Sequence, residues 1–117
     1  MREKQIPARE DERSCSVALT RAFEFLGKRW NGILLATLMD GGPAGYAELR
    51  RAVTGISDSV LSDRLSQLGA AGLIERVIDG GPPISVTYQL TARGQALLPA
   101  LQELSAWAEK NLDTSDS

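Results

Sequence analysis

The most informative stretch of the chain reads Tyr46-Ala-Glu-Leu-Arg-Arg-Ala-Val53, then Thr54-Gly-Ile56, then Ser57-Asp-Ser-Val-Leu-Ser-Asp-Arg-Leu-Ser-Gln-Leu68. Tyr46, Leu49 and Val53 recur at helical spacing, and Gly55 interrupts the pattern where a tight interhelical turn needs a glycine. Ser57 is a good N-cap for a new helix. The stretch therefore predicts two helices joined by a short turn, the arrangement of a helix-turn-helix.

The second predicted helix has one apolar face and one face of short polar side chains. The apolar residues are Val60, Leu61, Leu65 and Leu68, and those opposite them are Ser59, Ser62, Asp63 and Ser66. Serine forms helices less readily than Lys, Glu or Gln. Short polar side chains do, however, let a helix lie deep in a DNA major groove and bond to base edges or phosphates. The alternative is an ordinary solvated face.

A predicted β-hairpin follows this helix. Gly69 and Gly72 should end the helix, and Leu73–Ile78 is rich in the residues that strands prefer. Turn residues follow at Asp79-Gly-Gly-Pro-Pro83. Ser85–Leu90 then alternates polar and apolar residues, which predicts a second strand with Val86, Tyr88 and Leu90 on one side. A hairpin at this place is the wing of a winged helix-turn-helix.

The remaining helices carry more apolar surface than one small core needs. Ser16–Leu26 is apolar over a broad surface, Trp30–Met39 is almost entirely apolar, and a last helix capped by Thr91 runs through Gln95 to Leu112. Pro99 should kink the last helix or shift its start. We expect the first and last helices to pair with those of a second copy, which makes the protein a homodimer.

From Cys15 to about Leu112 the chain resembles the HxlR-type winged-helix transcriptional regulators, which are relatives of the MarR and ArsR groups. The matching pieces are Cys15, Gly27-Lys-Arg-Trp30, Glu48-Leu-Arg-Arg51, Gly55-Ile-Ser57, Leu61-Ser-Asp-Arg-Leu65, Gly72-Leu-Ile-Glu-Arg76, Pro82-Pro83 and Tyr88-Gln-Leu-Thr91 with Gly94. The resemblance implies a small cytoplasmic homodimer that binds operator DNA and usually represses.

The fold class expected is α+β, mostly α: a winged helix-turn-helix with a two-stranded wing and N- and C-terminal dimerisation helices. Residues 15–112 form the DNA-binding and dimerisation domain. Residues 1–14 form a charged arm, which is either disordered or an extension of the dimer interface, and residues 113–117 form a frayed tail.

Eight residues are candidates for contact with double-stranded DNA. Those expected at the major groove are Ser57, Ser59, Ser62, Asp63 and Arg64, and those expected on phosphates are Arg50, Arg51 and Arg76. An alternative role for Arg64 is to brace the fold, because it lies at the edge of the apolar face. The wing tip between Asp79 and Ile84 contains no cation that could enter a minor groove.

Composition excludes several other classes of protein. No histidine and one cysteine leave no zinc cluster and no internal disulfide, and no plausible catalytic triad is present, so neither an enzyme nor a cofactor is expected. No segment has the apolar length of a membrane span or the pattern of a secretory signal, so the expected location is the cytoplasm. The net charge of −2 and the pI of about 5.1 are low for a DNA-binding domain.

Cys15 is the one residue with redox chemistry to offer. It precedes the first helix, close to Arg13 and Arg21 in sequence, and a helix N-terminus with nearby cations favours the thiolate. Several relatives use a cysteine at this place to sense oxidants or electrophiles, so the resemblance implies an oxidant or other small-molecule effector. A packing residue without regulatory purpose is the alternative.

Two functions of different class remain open from the sequence. The first is a DNA-binding repressor, supported by the order of elements around the recognition helix. The second is a winged-helix dimer with weak DNA affinity that acts as a ligand-binding or protein-interaction module, supported by the acidic pI and by the wing tip without a cation.

Overall fold

The computed structural model describes residues 16–112, and the chain forms six helices and two strands over that range. In chain order they are α1 (Val17–Leu26), α2 (Arg29–Gly41), α3 (Tyr46–Ala52), α4 (Asp58–Ala70), β1 (Ile74–Asp79), β2 (Ser85–Leu90), α5 (Ala92–Gln95) and α6 (Leu98–Asn111). This order confirms the winged helix-turn-helix predicted from the sequence: α3 and α4 are its two helices, and the β1–β2 hairpin is its wing.

Helix α4 begins as predicted and ends later than predicted. The Ser57 hydroxyl caps the helix by accepting a hydrogen bond from the Val60 N–H at 3.3 Å. The helix passes through Gly69 to Ala70, so only Gly72, with φ of +79°, ends it. There the N–H groups of Leu73 and Gly72 donate to the carbonyls of Leu68 and Gly69, each at 3.0 Å. This pair of bonds is a Schellman motif, which explains why a glycine is needed at position 72.

The core is built mainly from the helix-turn-helix and the central helix α2. Its buried residues are Leu34, Leu35, Leu38, Leu49, Val53, Ile56, Leu61, Leu65, Leu68 and Ile74. The apolar spacing predicted for α3 and α4 is therefore the spacing that faces the core. Because α4 contributes three fully or nearly fully buried leucines, its opposite face is held outward by the packing of the whole domain.

The wing is attached to the domain along its base. β1 and β2 are antiparallel, with Ile74 opposite Leu90 and Arg76 opposite Tyr88. Ala44, in the loop before α3, exchanges two backbone hydrogen bonds with Tyr88 at 2.8 and 3.0 Å. Opposed residues of an antiparallel pair share a face. Arg76 and Tyr88 therefore lie on the face that carries the buried Ile74, which packs towards the domain.

Pro99 divides the predicted last helix in two. Thr91 caps α5 through a hydrogen bond from the Gly94 N–H at 3.1 Å, as predicted, but α5 ends at Gln95. α6 then starts at Leu98 with Pro99 in its first turn, where a missing N–H breaks no helical bond. Gly94 is buried, and a Cβ there would lie 2.2 Å from the Leu73 carbonyl oxygen, so the close contact of α5 with the wing requires glycine.

Helices α1 and α6 leave large apolar side chains uncovered. Neither helix contains a fully buried residue, and Phe23 and Trp107 are 64% and 54% exposed. A groove between α2 and α6 is lined largely by apolar residues, among them Leu26, Ile33 and Leu104. In residues 16–112 no helix combines the length and apolar character needed to cross a membrane.

Candidate nucleic-acid interface

The outer face of α4 consists of Ser59, Asp63 and Ser66, all of them exposed. At about 100° per residue these three positions lie opposite the buried Leu61 and Leu65. Their side chains are short, so the helix backbone can approach another molecule closely. They can also donate and accept hydrogen bonds, which is the chemistry that base edges in a DNA major groove require.

An open groove separates α4 from the base of the wing. Its volume is about 590 Å³, and Ser62, Ser66, Glu75, Arg76 and Tyr88 lie along it. Arg76 is exposed and brings a cation to the side of the groove that faces α4. The structure therefore brings together two of the predicted site residues, Ser62 and Arg76, that are fourteen positions apart in the sequence.

Four residues form a polar cluster at the junction of α3 and α4: Tyr46, Arg50, Asp58 and Ser62. The Arg50 Nε lies 3.0 Å from Asp58 Oδ1. The Tyr46 hydroxyl lies 3.0 Å from the Asp58 carbonyl oxygen, 3.3 Å from Asp58 Oδ1 and 3.3 Å from the Ser62 hydroxyl. Arg50 is thus ion-paired at the N-terminus of α4, rather than projecting alone from α3.

Arg51 and Ser57 occupy different environments from Arg50. Arg51 is exposed at the end of α3, and no ion pair within residues 16–112 includes it. Ser57 is exposed but serves as the cap of α4, and its hydroxyl also lies 3.4 Å from the Ser59 hydroxyl. A Ser57 contact to DNA would therefore share its oxygen with the helix cap.

Arg64 lies on the flank of α4, away from the groove. Its Nη2 is 2.6 Å from Asp63 Oδ2, its Nη1 donates to Gln67 Oε1 at 3.0 Å, and its side chain is only 20% exposed. With Trp30 and Lys28 it lines a hollow at the corner between α1 and α2. Arg64 therefore does not line the groove with Ser62 and Arg76. Its guanidinium also occupies the Asp63 carboxylate.

The site residues predicted from the sequence omit three polar residues at the two ends of α4. Tyr46 was expected only as part of the apolar spacing of α3, and Asp58 was included in no predicted site. Arg93 donates to the Ala71 carbonyl at 3.2 Å and so covers the C-terminal end of α4. The shared contact of Tyr46 and Arg50 with Asp58 left only a weak signal in the sequence. Tyr46 and Arg50 are one helical turn apart on α3, but their common partner Asp58 lies beyond the interhelical turn, on α4.

The wing tip is apolar and uncharged apart from Asp79. Ile84 is 73% exposed beside Pro82 and Pro83, and no Lys or Arg lies between Asp79 and Ile84. On the strand face opposite Arg76 and Tyr88, the Gln89 amide donates to the Glu75 carboxylate at 2.8 Å. Over residues 16–112 no group of three or more His, Cys, Asp or Glu side chains is placed to hold a metal ion.

Cys15, the predicted sensor, lies outside the described residues and directly precedes Ser16, the N-cap of α1.

Known proteins are similar to this chain in both sequence and architecture. The family model described as HxlR-like helix-turn-helix matches residues 25–116. The HTH-type transcriptional regulator YodB of Bacillus subtilis (strain 168) is 38% identical over 96 residues, which cover 82% of this chain and 85% of YodB.

Solved structures of redox-related regulators superpose on the chain. The reduced form of YodB from B. subtilis has a TM-score of 0.77 at 36% identity, covering 86% of this chain and 97% of that one. The redox regulator HypR in its oxidized form has a TM-score of 0.74 at 30% identity, covering 83% and 99%. Diamide-treated and quinone-bound YodB superpose with TM-scores of 0.69 and 0.71. The family match, the relative and the superposed winged helices agree: the chain belongs to the HxlR-like helix-turn-helix family of transcriptional regulators.

Proposed function

We propose that the protein is a homodimeric repressor that binds a pseudo-palindromic operator and responds to oxidants or electrophiles through Cys15. The observation that carries the DNA-binding part is the outer face of α4, where Ser59, Asp63 and Ser66 are exposed on a helix whose other side is anchored in the core. A helix held in this way can enter a major groove without losing its packing.

Base reading is assigned to the outer face of α4 together with Ser62 at the edge of the groove. Phosphate contacts are assigned to Arg51 and Arg76, which are exposed at the end of α3 and at the base of the wing. Ser57 can add a contact at the N-terminus of the helix, where the dipole favours a phosphate. Arg64 is assigned to bracing α4, because its guanidinium is already bonded to Asp63 and Gln67.

The dimer is assigned to α1 and α6. Val17 and Phe23 of α1 and Leu104 and Trp107 of α6 are all about half exposed or more, and a surface helix of a monomer normally buries its apolar stripe. A second copy would cover these side chains and set the distance between the two α4 helices. Two subunits would also double the number of arginines that face DNA, which matters for a chain with a net charge of −2.

Regulation is assigned to Cys15 because of its place beside the proposed dimer helix. Modification of a thiol next to the N-cap of α1 would add bulk or an intersubunit bond at the element that spaces the two recognition helices. A shift of an ångström or two would misplace one α4 in its groove and favour release of the operator.

Selection of bound fragments from the organism's own genomic DNA tests the proposal. We expect a small set of enriched fragments that share an inverted repeat near a promoter. If the protein recovers no fragments above the background of a control resin, the alternative of a winged-helix module with weak DNA affinity, which binds a ligand or another protein, takes its place.

A further inference from the structure

We propose that Asp58 limits the protein's affinity for all DNA sequences by cancelling the charge of Arg50, an inference that rests on the proposed DNA-binding function. Asp58 is the first residue of α4, at the end of the helix that meets the DNA backbone when a recognition helix enters the major groove. A carboxylate at this place opposes binding to phosphates unless a cation compensates it.

Two groups from α3 hold the Asp58 carboxylate in place. Oδ1 is 3.0 Å from Arg50 Nε and 3.3 Å from the Tyr46 hydroxyl, and that hydroxyl also lies 3.0 Å from the Asp58 backbone oxygen. Tyr46 and Arg50 lie one turn apart on α3, so the arrangement places both on one face of that helix. The carboxylate therefore stays beside the guanidinium.

The Arg50–Asp58 pair contributes little to stability and much to the charge that DNA meets. The two side chains are 51% and 65% exposed, and ion pairs this exposed to water hold a fold only weakly. Cancellation of charge does not depend on the strength of the pair. At 3.0 Å the separation of the two groups is small compared with the screening length of about 8–10 Å at physiological salt, so a nearby phosphate meets an almost neutral unit.

A second arginine is neutralised in the same way on α4, and this reduces the number of positive charges available to DNA. Arg64 is paired with Asp63, as Arg50 is with Asp58. Of the arginines in α3, α4 and the wing, Arg51 and Arg76 are the two that form no ion pair within residues 16–112. The sequence-independent part of binding, which scales with the number of cations at phosphates, is therefore small, and operator recognition depends more on the bases.

The test compares Asp58→Asn with two other variants of the full-length protein. Asp40→Asn makes the same change in net charge at the exposed C-terminal end of α2, outside the surfaces assigned to DNA and to the dimer. Tyr46→Phe removes the hydroxyl that touches Asp58 and leaves every charge in place. Affinity for the selected operator and for a duplex of unrelated sequence is measured at several salt concentrations, and circular dichroism confirms that each variant is folded.

We expect Asp58→Asn to strengthen binding to both duplexes by roughly five- to tenfold for each bound subunit at about 0.1 M salt, and to steepen the salt slope by about one unit. Asp40→Asn and Tyr46→Phe should leave the slope unchanged. Equal effects of Asp58→Asn and Asp40→Asn would overturn the proposal in favour of overall net charge. An equal effect of Tyr46→Phe would overturn it in favour of the hydrogen bonds made by the Tyr46 hydroxyl.

Three further outcomes would contradict this inference, and they differ in whether the proposed function survives. Weaker operator binding by Asp58→Asn with unchanged binding to unrelated DNA would mean that Asp58 accepts a hydrogen bond from a base such as cytosine, which contradicts a role limited to charge. Failure of both the wild type and Asp58→Asn to bind any duplex would remove the DNA-binding function and this inference together. Operator binding by the wild type with no change in Asp58→Asn would remove this inference alone.

Discussion

At the level of single side chains, residues of the same type differ in whether their polar atoms are already bonded within the domain. Ser59 and Ser66 face outward, whereas Ser57 is occupied by the helix cap. The four arginines around the helix divide in the same way: Arg50 and Arg64 are paired with carboxylates, and Arg51 and Arg76 are exposed without such a pair within residues 16–112. Residues of one type therefore have different expected roles.

Arginine and serine substitutions should have different effects on DNA binding. Arg51→Ala or Arg76→Ala should weaken binding to operator and unrelated DNA alike and flatten the salt slope by about one unit for each lost phosphate contact. Ser59→Ala should instead alter base preference at one position of the half-site. Ser105→Ala, an exposed serine of α6, is the matched control. Selection from randomised duplexes measures preference, and arginine variants that change it while Ser59→Ala does not would reverse the assignment.

Arg64→Ala separates bracing of the fold from contact with DNA. Because the Arg64 side chain is mostly covered and bonded to Asp63 and Gln67, its loss should lower the free energy of unfolding by about 1 kcal/mol. Affinity for the operator, measured where the variant is fully folded, should change by less than about threefold. Unchanged stability with a large loss of operator affinity would return Arg64 to the DNA-contact set that the sequence predicted.

At the level of elements, the sequence predicted the caps, helix faces and strands that local patterns determine. It did not predict contacts between residues on different elements. The Ser57 cap, the apolar face of α4 and the strand Ser85–Leu90 follow from spacing and residue type. The prediction of one continuous last helix is wrong, because α5 ends at Gln95 and α6 begins at Leu98. The shift in helix start predicted for Pro99 does occur, since Pro99 lies in the first turn of α6. The Tyr46–Asp58 contacts join residues twelve positions apart, so no helical or strand spacing could predict them.

The exposed apolar residues of α1 and α6 predict a dimer that a single charge disrupts. Leu104→Glu or Phe23→Glu should weaken self-association by roughly 100-fold or more, since each copy would then bury an unpaired carboxylate. Ile84→Glu, on the equally exposed wing tip, should leave association unchanged. Sedimentation equilibrium should give about twice 12.6 kDa for the wild type and the Ile84 variant, and about 12.6 kDa for the others. A wild type that sediments only as the smaller species at micromolar concentration would exclude this dimer.

At the level of the whole molecule, the proposed function couples a DNA-facing surface to a dimer surface through one compact core. α2 contacts both proposed dimer helices, α1 and α6, and both helices of the helix-turn-helix, α3 and α4. A change at α1 therefore has a packed path to the recognition helix, since tightly packed interiors transmit displacement rather than absorb it. This arrangement is the basis for expecting that chemistry at Cys15 alters operator binding.

Cys15→Ser should uncouple operator binding from oxidants. Titration of the wild-type operator complex with diamide or a quinone should release DNA, because the thiolate reacts and perturbs the start of α1. The Cys15→Ser protein should bind the operator with wild-type affinity and keep it in the presence of either reagent. If the two proteins respond alike, or if neither responds, Cys15 is a packing residue.

Methylation interference on a selected operator tests whether α4 reads the major groove. Dimethyl sulfate modifies guanine N7 in the major groove and adenine N3 in the minor groove, so one footprint separates the two. We expect interference at guanines in two patches whose centres are about one helical turn, ~34 Å, or a multiple of it apart, and little interference at adenines, because the wing tip offers no cation. Interference confined to adenine N3, or a single unrepeated patch, would contradict a dimer that places two α4 helices in successive major grooves.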